Sequence, residues 1–162
     1  MTFPQSQRIA RSAHWLAVWC IAVWTLPLTG HAQSPAGTTL PRITVQAGIH
    51  LIRAEVASDI NSRSRGLMFR DRLGANEGMM FVFEQASTQC FWMRNTLLPL
   101  TIAFLADDGS IVNTADMEPR SETSHCSASP VRFALEMERG WFSKRGLGKG
   151  DRLTAQGIFR NP

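Results

Sequence analysis

Beyond its first 32 residues the chain holds only two histidines, His50 and His125, and it contains no Gly-x-Ser-x-Gly elbow, no His-Glu-x-x-His helix and no phosphate-binding glycine loop. Those absences exclude the common serine hydrolase, the zinc protease and the nucleotide hydrolase, because each needs its nucleophile, base or phosphate cradle at a fixed spacing. Excess charge is missing too. Of 17 basic residues, Arg8 and Arg11 fall within the first 32, which leaves 15 against 13 acidic residues, a net of +2. So even a balance gives no reason to expect a nucleic-acid partner, which selects strongly basic faces. Nor is there a long hydrophobic run: the uncharged stretch from Trp15 to Leu28 has 14 residues, short of the roughly 20 that span a bilayer. Internal repeats and low-complexity tracts are absent as well.

What stands at the N-terminus reads as a secretory signal over residues 1–32. Arg8 and Arg11 precede the apolar run, Pro27 and Gly30 break it, and Gly30-His31-Ala32 is a small-x-small cleavage pattern. An uncleaved anchor is the alternative. Cys20 follows Val18-Trp19 rather than the small residues that precede a lipidated cysteine, which argues against a lipoprotein. The mature chain would be exported, to the periplasm in a bacterium, with no membrane span after cleavage. Residues 33–42, polar and bounded by proline, read as a flexible leader, and residues 43–162 as a single domain.

Two cysteines remain in that domain, Cys90 and Cys126. In an oxidising compartment the simplest arrangement is one disulfide between them, which would stabilise the fold by about 4 kcal/mol on the chain-entropy account. Two free thiols, one of them reactive, is the competing arrangement.

Ile43–Gln46 and Ile49–Val56 are rich in β-branched residues around Ala47-Gly48 and predict a hairpin. Ser58 is a candidate cap for a helix carrying Ile60, Leu67 and Met68 on one face. Met79–Phe83 and Cys90–Met93 are continuously apolar, which predicts strands buried on both faces. Leu100–Leu105, Asp107-Asp-Gly109 and Ser110–Thr114 form the strongest hairpin signal. Val131, Phe133, Leu135 and Met137 alternate with Arg132, Ala134, Glu136 and Glu138, the pattern of a half-buried strand. A short helix is expected within Glu138–Gly146 and a closing strand over Arg152–Gln156. Short strands at close spacing predict a mainly β fold: a compact, antiparallel sandwich or barrel with one or two short helices, α+β at the margin.

Chemistry has few places to sit. Trp92, Arg94 and Asn95 lie where an apolar strand runs into a corner before Pro99, a common position for binding residues; the plain alternative is that Asn95 and Thr96 only shape the turn. Arg63, Arg65, Arg70 and Arg72 cluster around Gly66 and could meet an anion, or could pair with Asp59, Asp71 and Glu77. His125-Cys126 and the methionines do not have metal-ligand spacing, so neither metal nor cofactor is expected. Asp107 and Asp108 are better explained as turn formers than as an acid/base pair. Glu136, a carboxylate inside an alternating strand, is the remaining candidate.

Arg65-Gly-Leu-Met-Phe-Arg70, Glu77-Gly-Met-Met-Phe-Val-Phe83, Phe91-Trp-Met-Arg-Asn-Thr96, Leu98-Pro-Leu100, Asp108-Gly109 and Ala134-Leu-Glu-Met-Glu-Arg-Gly140 together resemble the family called domain of unknown function 192, or DUF192. The resemblance covers roughly residues 45 to 156. It implies a small, mostly β domain of a kind often exported by bacteria, with no assigned activity. Members usually carry Asp after Pro-Leu where this chain has Thr101, so a mechanism needing a carboxylate there is not expected.

The expectation is therefore a non-catalytic exported domain that binds a small molecule or an envelope protein, with Trp92, Arg94, Asn95 and Glu136 as the ligand-binding residues. One rival is a cell-envelope hydrolase using Glu136 with Arg94 and Asn95. Another is a thiol redox protein using Cys90 and Cys126.

Overall fold

The computed structural model describes residues 39–159. The expected signal, and all of the leader before residue 39, lie outside the described residues. Nine strands and one short helix run in the order β1 (Arg42–Ala47), β2 (His50–Ala57), α1 (Ile60–Arg65), β3 (Glu77–Ser87), β4 (Cys90–Phe91), β5 (Leu100–Leu105), β6 (Ile111–Met117), β7 (His125–Cys126), β8 (Val131–Glu138) and β9 (Leu153–Thr154), with a 3-10 turn at Ser143–Arg145. Seven strands form one sheet in the order β6-β5-β8-β3-β2-β1-β9, and β4 pairs with β7 in a separate ribbon. The mostly β class expected from the strand pattern is what the structure has.

The sheet curls toward a half-barrel because its two ends meet. Ser110 bridges Arg152, the Ile111 amide donates to the Asp151 carbonyl at 2.8 Å, and the Leu153 amide donates to the Gly109 carbonyl at 2.9 Å. Gly109 is required at this meeting point. Its φ is 83°, and a Cβ there would lie 2.1 Å from the Leu153 carbonyl oxygen, so no side chain fits. The Asp108 carboxylate accepts from the Ser110 amide at 3.0 Å and from its hydroxyl at 2.9 Å, the local hydrogen bonding that makes Asp a turn former.

One junction departs from an antiparallel sheet. β2 and β3 run parallel, since the chain between them crosses over through α1, as parallel neighbours demand. Asp59, rather than Ser58, caps that helix: its carboxylate accepts from the Asn61 and Ser62 amides at 2.9 and 3.0 Å, and the Ser62 side chain returns a bond to the Asp59 amide. The helix stops at Arg65, so Ile60 is left 68% exposed while Leu67, beyond the helix, is buried.

Both faces of the central strands are covered. On one face Val45, Ile52, Met80, Leu105, Phe133 and Leu135 pack with Trp141 and Phe142. On the opposite face Met79, Phe81, Ile102, Phe104 and Ala134 pack beneath Leu67 and Met93. This second layer corrects the half-buried reading of β8. The alternation is real, but Ala134 and Glu136 are buried along with Phe133 and Leu135, because α1 and the segment after β4 lie over the face that the pattern assigns to solvent. The Cys90–Met93 stretch is corrected in the other direction. Only Cys90 and Phe91 are strand, in a two-stranded ribbon outside the main sheet, and Trp92 is 45% exposed. The short helix expected in Glu138–Gly146 is the single 3-10 turn, and the closing strand shrinks to Leu153–Thr154.

A cavity over Glu136 as the candidate functional site

In β8 the register sets Glu136 opposite Ile102 of β5 and opposite Met79 of β3, so its side chain leaves the sheet on the face covered by α1. There it lines a cavity of ≈ 260 Å³. Phe81 and Phe83 of β3 with Phe91 of β4 make the aromatic wall. Phe91 is the hub, standing edge-on to Phe81 at 4.9 Å, to Phe104 at 5.8 Å and to Phe83 at 6.3 Å, the T-shaped geometry that aromatic quadrupoles favour. The last turn of α1 forms the other wall and approaches closely at Gly66, where a Cβ would come within 3.3 Å of the Phe81 ring.

The ribbon wall is tied down by chemistry local to it. Cys90 and Cys126 stand directly opposite each other in the β4–β7 pair and are joined as a disulfide. Beside them the Gln89 amide donates to the Ser127 hydroxyl at 3.1 Å, the Asn113 amide group donates to the Cys126 carbonyl at 3.2 Å, and the Asn113 carbonyl oxygen accepts from the Ala128 amide at 2.9 Å. These bonds hold Cys90, and so the cavity wall, to β6.

Glu136 is 5% exposed, and among the described residues its carboxyl makes neither a side-chain hydrogen bond nor an ion pair. Burial alone pushes its pKa up to about 8, because the charged form loses hydration and gains no partner. The carboxyl is therefore largely protonated near neutral pH, with an O–H to donate. Thr96, also 5% exposed, lines the same cavity, and its hydroxyl has no partner among the described residues. Buried polar groups with spare hydrogen-bonding capacity beside aromatic rings are the usual composition of a small-molecule site.

The residues proposed from sequence divide. Trp92 and Glu136 both line the cavity, and Arg94 and Asn95 do not. Arg94 extends over the Trp92 ring, 5.1 Å from its centroid, to an exposed pair with Glu122 at 3.2 Å. Asn95 adopts a φ of 58°, and its carbonyl accepts from the Phe69 amide at 2.9 Å, so its backbone makes the corner. Of the arginine set, Arg63 and Arg65 line the cavity. Arg70 turns away to Glu55, and Asp59 and Glu77, the suggested partners, are occupied by the helix cap and by Arg53. Thr101 projects from the opposite face. It donates to Asp116 at 2.5 Å and accepts from the Gly140 amide at 2.8 Å, so the residue at this position does not touch the cavity.

A wider cleft of ≈ 590 Å³ lies on the other side of α1. Its carboxylates are already engaged, Asp59 as the helix cap and Glu55 by Arg70 and Arg42. Among the described residues no group of three or more His, Cys, Asp and Glu side chains comes together as a metal site. No described helix is long and apolar enough to cross a membrane. The sequence places Phe81 and Phe83 in a buried strand, Leu67 on a helix face and Thr96 in a turn, and gives none of them a place in a site, yet all four line the cavity. A usable signal was present, because β3 is apolar on both faces and its neighbour β8 must then share a covered second face.

The chain matches the family DUF192, described as an uncharacterized ACR, over residues 42–155. No curated protein matches it. A protein from Sinorhizobium meliloti 1021, described as a proposed transcription regulator, has a solved structure with 34% sequence identity and a TM-score of 0.68, covering 72% of this chain and 94% of its own. A protein of unknown function from Novosphingobium aromaticivorans DSM 12444 is also 34% identical, with a TM-score of 0.70, covering 74% of this chain and 89% of its own.

Proposed function

The chain belongs to the DUF192 family, and from that premise we propose that it is an exported, non-catalytic binding domain whose small-molecule ligand occupies the cavity over Glu136. Glu136 itself carries the reading. A desolvated carboxyl without a partner is a cost to the fold, and such costs collect where a ligand supplies the missing partner. The lining supports binding over turnover: it contains no histidine, and Cys90 is committed to the disulfide. Export is supported by that disulfide, which oxidising compartments maintain, and by the pattern of the first 32 residues.

The test uses the full chain, expressed in a bacterium and recovered from the periplasmic fraction with an N-terminus near Gln33. The purified protein is titrated with 4-hydroxyphenylacetamide, a neutral aromatic probe, while melting temperature and tryptophan fluorescence are followed. Saturable binding that raises the melting temperature and leaves the probe intact is expected. Release of 4-hydroxyphenylacetate would instead mark a hydrolase with Glu136 as the general acid. Retention of the uncleaved chain in the cytoplasm would overturn export, and no saturable response to this probe or to its charged analogues would overturn the cavity as a binding site.

A further inference from the structure

Resting on the binding reading above, the geometry points to one ligand class: a compact hydroxy-acid with an aromatic or similarly rigid apolar body, its anionic group at Arg65 and Arg63 and its hydroxyl at Glu136 and Thr96. Three features of the cavity converge on that chemistry.

Charge comes first. Arg63, Arg65 and Glu136 are the cavity's ionisable groups, and neither arginine is in an ion pair among the described residues. Arg63 is held in place: it donates to the Ser58 and Val82 carbonyls and lies 5.2 Å over the Phe83 ring. Those contacts orient the guanidinium without neutralising it. Arg65 is exposed at the end of α1. Two cations without counterions beside a largely neutral carboxyl make the mouth attractive to an anion, and a guanidinium fork suits a carboxylate. Both arginines disfavour a cationic ligand by like-charge repulsion.

Polarity along the cavity comes second. Arg65 is exposed and Arg63 half-buried, Phe81, Phe83 and Phe91 contribute ring surface to the lining, and Glu136 and Thr96, each 5% exposed, have hydrogen-bonding capacity that no described residue uses. A ligand satisfying the whole site is charged at one end, apolar in the middle and hydroxylated at the other. Sites built around buried polar groups reject analogues that lack the matching hydroxyl, because the protein groups are then left unpaired.

Size comes third. A cavity of about 150 Å³ accommodates benzene, so ≈ 260 Å³ admits a six-membered ring with a few substituent atoms, its acid group reaching the mouth.

Calorimetric titration of the oxidised protein at pH 7 with 4-hydroxyphenylacetate, its amide, tyramine and phenylacetate tests each feature. The hydroxy-acid should bind at least tenfold more tightly than the amide and than phenylacetate, and tyramine most weakly. Arg65→Ala should bring the acid to the level of the amide while changing amide binding less than twofold. Glu136→Leu should abolish the advantage of 4-hydroxyphenylacetate over phenylacetate and leave the preference for acid over amide, with Thr96→Val as a second variant should that protein fold poorly. Tightest binding by tyramine, or equal binding of acid and amide, overturns the proposed charge recognition and leaves the cavity standing as a binding site. Equal binding of the two acids overturns the hydroxyl assignment. Binding by none of the four removes both this proposal and the broader one.

Discussion

Glu55 on β2 and Glu136 on β8 belong to one sheet and occupy opposite electrostatic situations. Glu55 is gripped by Arg70 at 2.5 Å and by Arg42 at 3.0 Å, and the Arg70 hydrogen bonds, ahead of any other cause, hold its carboxyl below the usual carboxylate range. It ties the β1–β2 hairpin to the loop after α1. Glu136, more deeply buried, meets no cation among the described residues and rises to about 8. A carboxylate with two guanidinium partners has its chemistry consumed by the fold, whereas one surrounded by phenylalanine rings keeps its proton and its capacity for a ligand. The difference separates a structural tie from a candidate site, and it can be attacked from several sides.

The largest effect should come from the ribbon wall. Breaking the Cys90–Cys126 bridge, by reduction or by Cys90→Ser with Cys126→Ser, releases a constraint across a sequence separation of 36 residues, a loss of about 4 kcal/mol on the chain-entropy account. Cys90 lines the Glu136 cavity and is remote in the chain from the Glu55 cluster. Loosening the wall should therefore admit water to Glu136 and bring its pKa down toward the ordinary range, while Glu55 keeps its depressed value. Denaturant unfolding measures the first consequence, and carbon-detected NMR titration of the two carboxyl groups measures the second. An unmoved Glu136 titration would show that the ribbon is not what keeps Glu136 buried.

The next effect is in pH, where the two glutamates should pull stability in opposite directions. Glu136 has a folded pKa of about 8 against an ordinary 4.5, so the folded state binds the extra proton between those values. Its protonated form is fully compatible with folding below pH 4.5, and stability then falls as pH rises toward 8, by up to about 1.4 kcal/mol per pH unit. Glu55 has the reverse sign: its stabilisation is present above the ordinary carboxylate pKa and disappears as pH falls through its lowered folded value. Glu136→Gln should therefore gain on the order of 3 kcal/mol at pH 8 and nothing at pH 4. Glu55→Gln should lose about 1 kcal/mol at pH 7 and little in acid. Parallel pH profiles for the wild type and Glu136→Gln would mean that Glu136 has a partner after all.

Half of this contrast could be read from the residues alone. Where a feature depends on local chemistry it was legible: Asp107-Asp-Gly109 makes its turn through side-chain bonds two residues long, and of the apolar run Met79–Phe83 the first three residues are buried while Val82 and Phe83 are half-buried. The parallel β2–β3 step was not legible, because strand composition carries no direction. Period-two alternation in β8 correctly told the two faces apart but not what else in the chain lies over the polar one, which is how Glu136 passes from the polar face of a half-buried strand to a buried position. Trp92 failed for the converse reason. An apolar residue was assigned to the core, yet a two-residue ribbon strand has no second layer to cover it. Trp92 and Glu136 meet in one cavity through tertiary packing of segments more than 40 residues apart in the chain.

The smallest effect concerns the corner beside the cavity, and it tests where the site ends. Arg94 is 54% exposed and its partner Glu122 is 63% exposed, so solvent and salt screen the pair, and Arg94→Ala should change stability by less than about 0.5 kcal/mol. Its stacking over Trp92 lies at the rim, outside the lining that contains Arg63 and Arg65. Ligand affinity should then move less than twofold in Arg94→Ala, against a loss of about tenfold, or about 1.4 kcal/mol, in Arg65→Ala. Equal losses in the two variants would extend the cationic mouth across Trp92 and make Arg94, which pairs with the exposed Glu122, part of the recognition surface. A loss in Arg65→Ala alone would confine charge recognition to the end of α1, where Arg65 lines the cavity and forms no ion pair among the described residues.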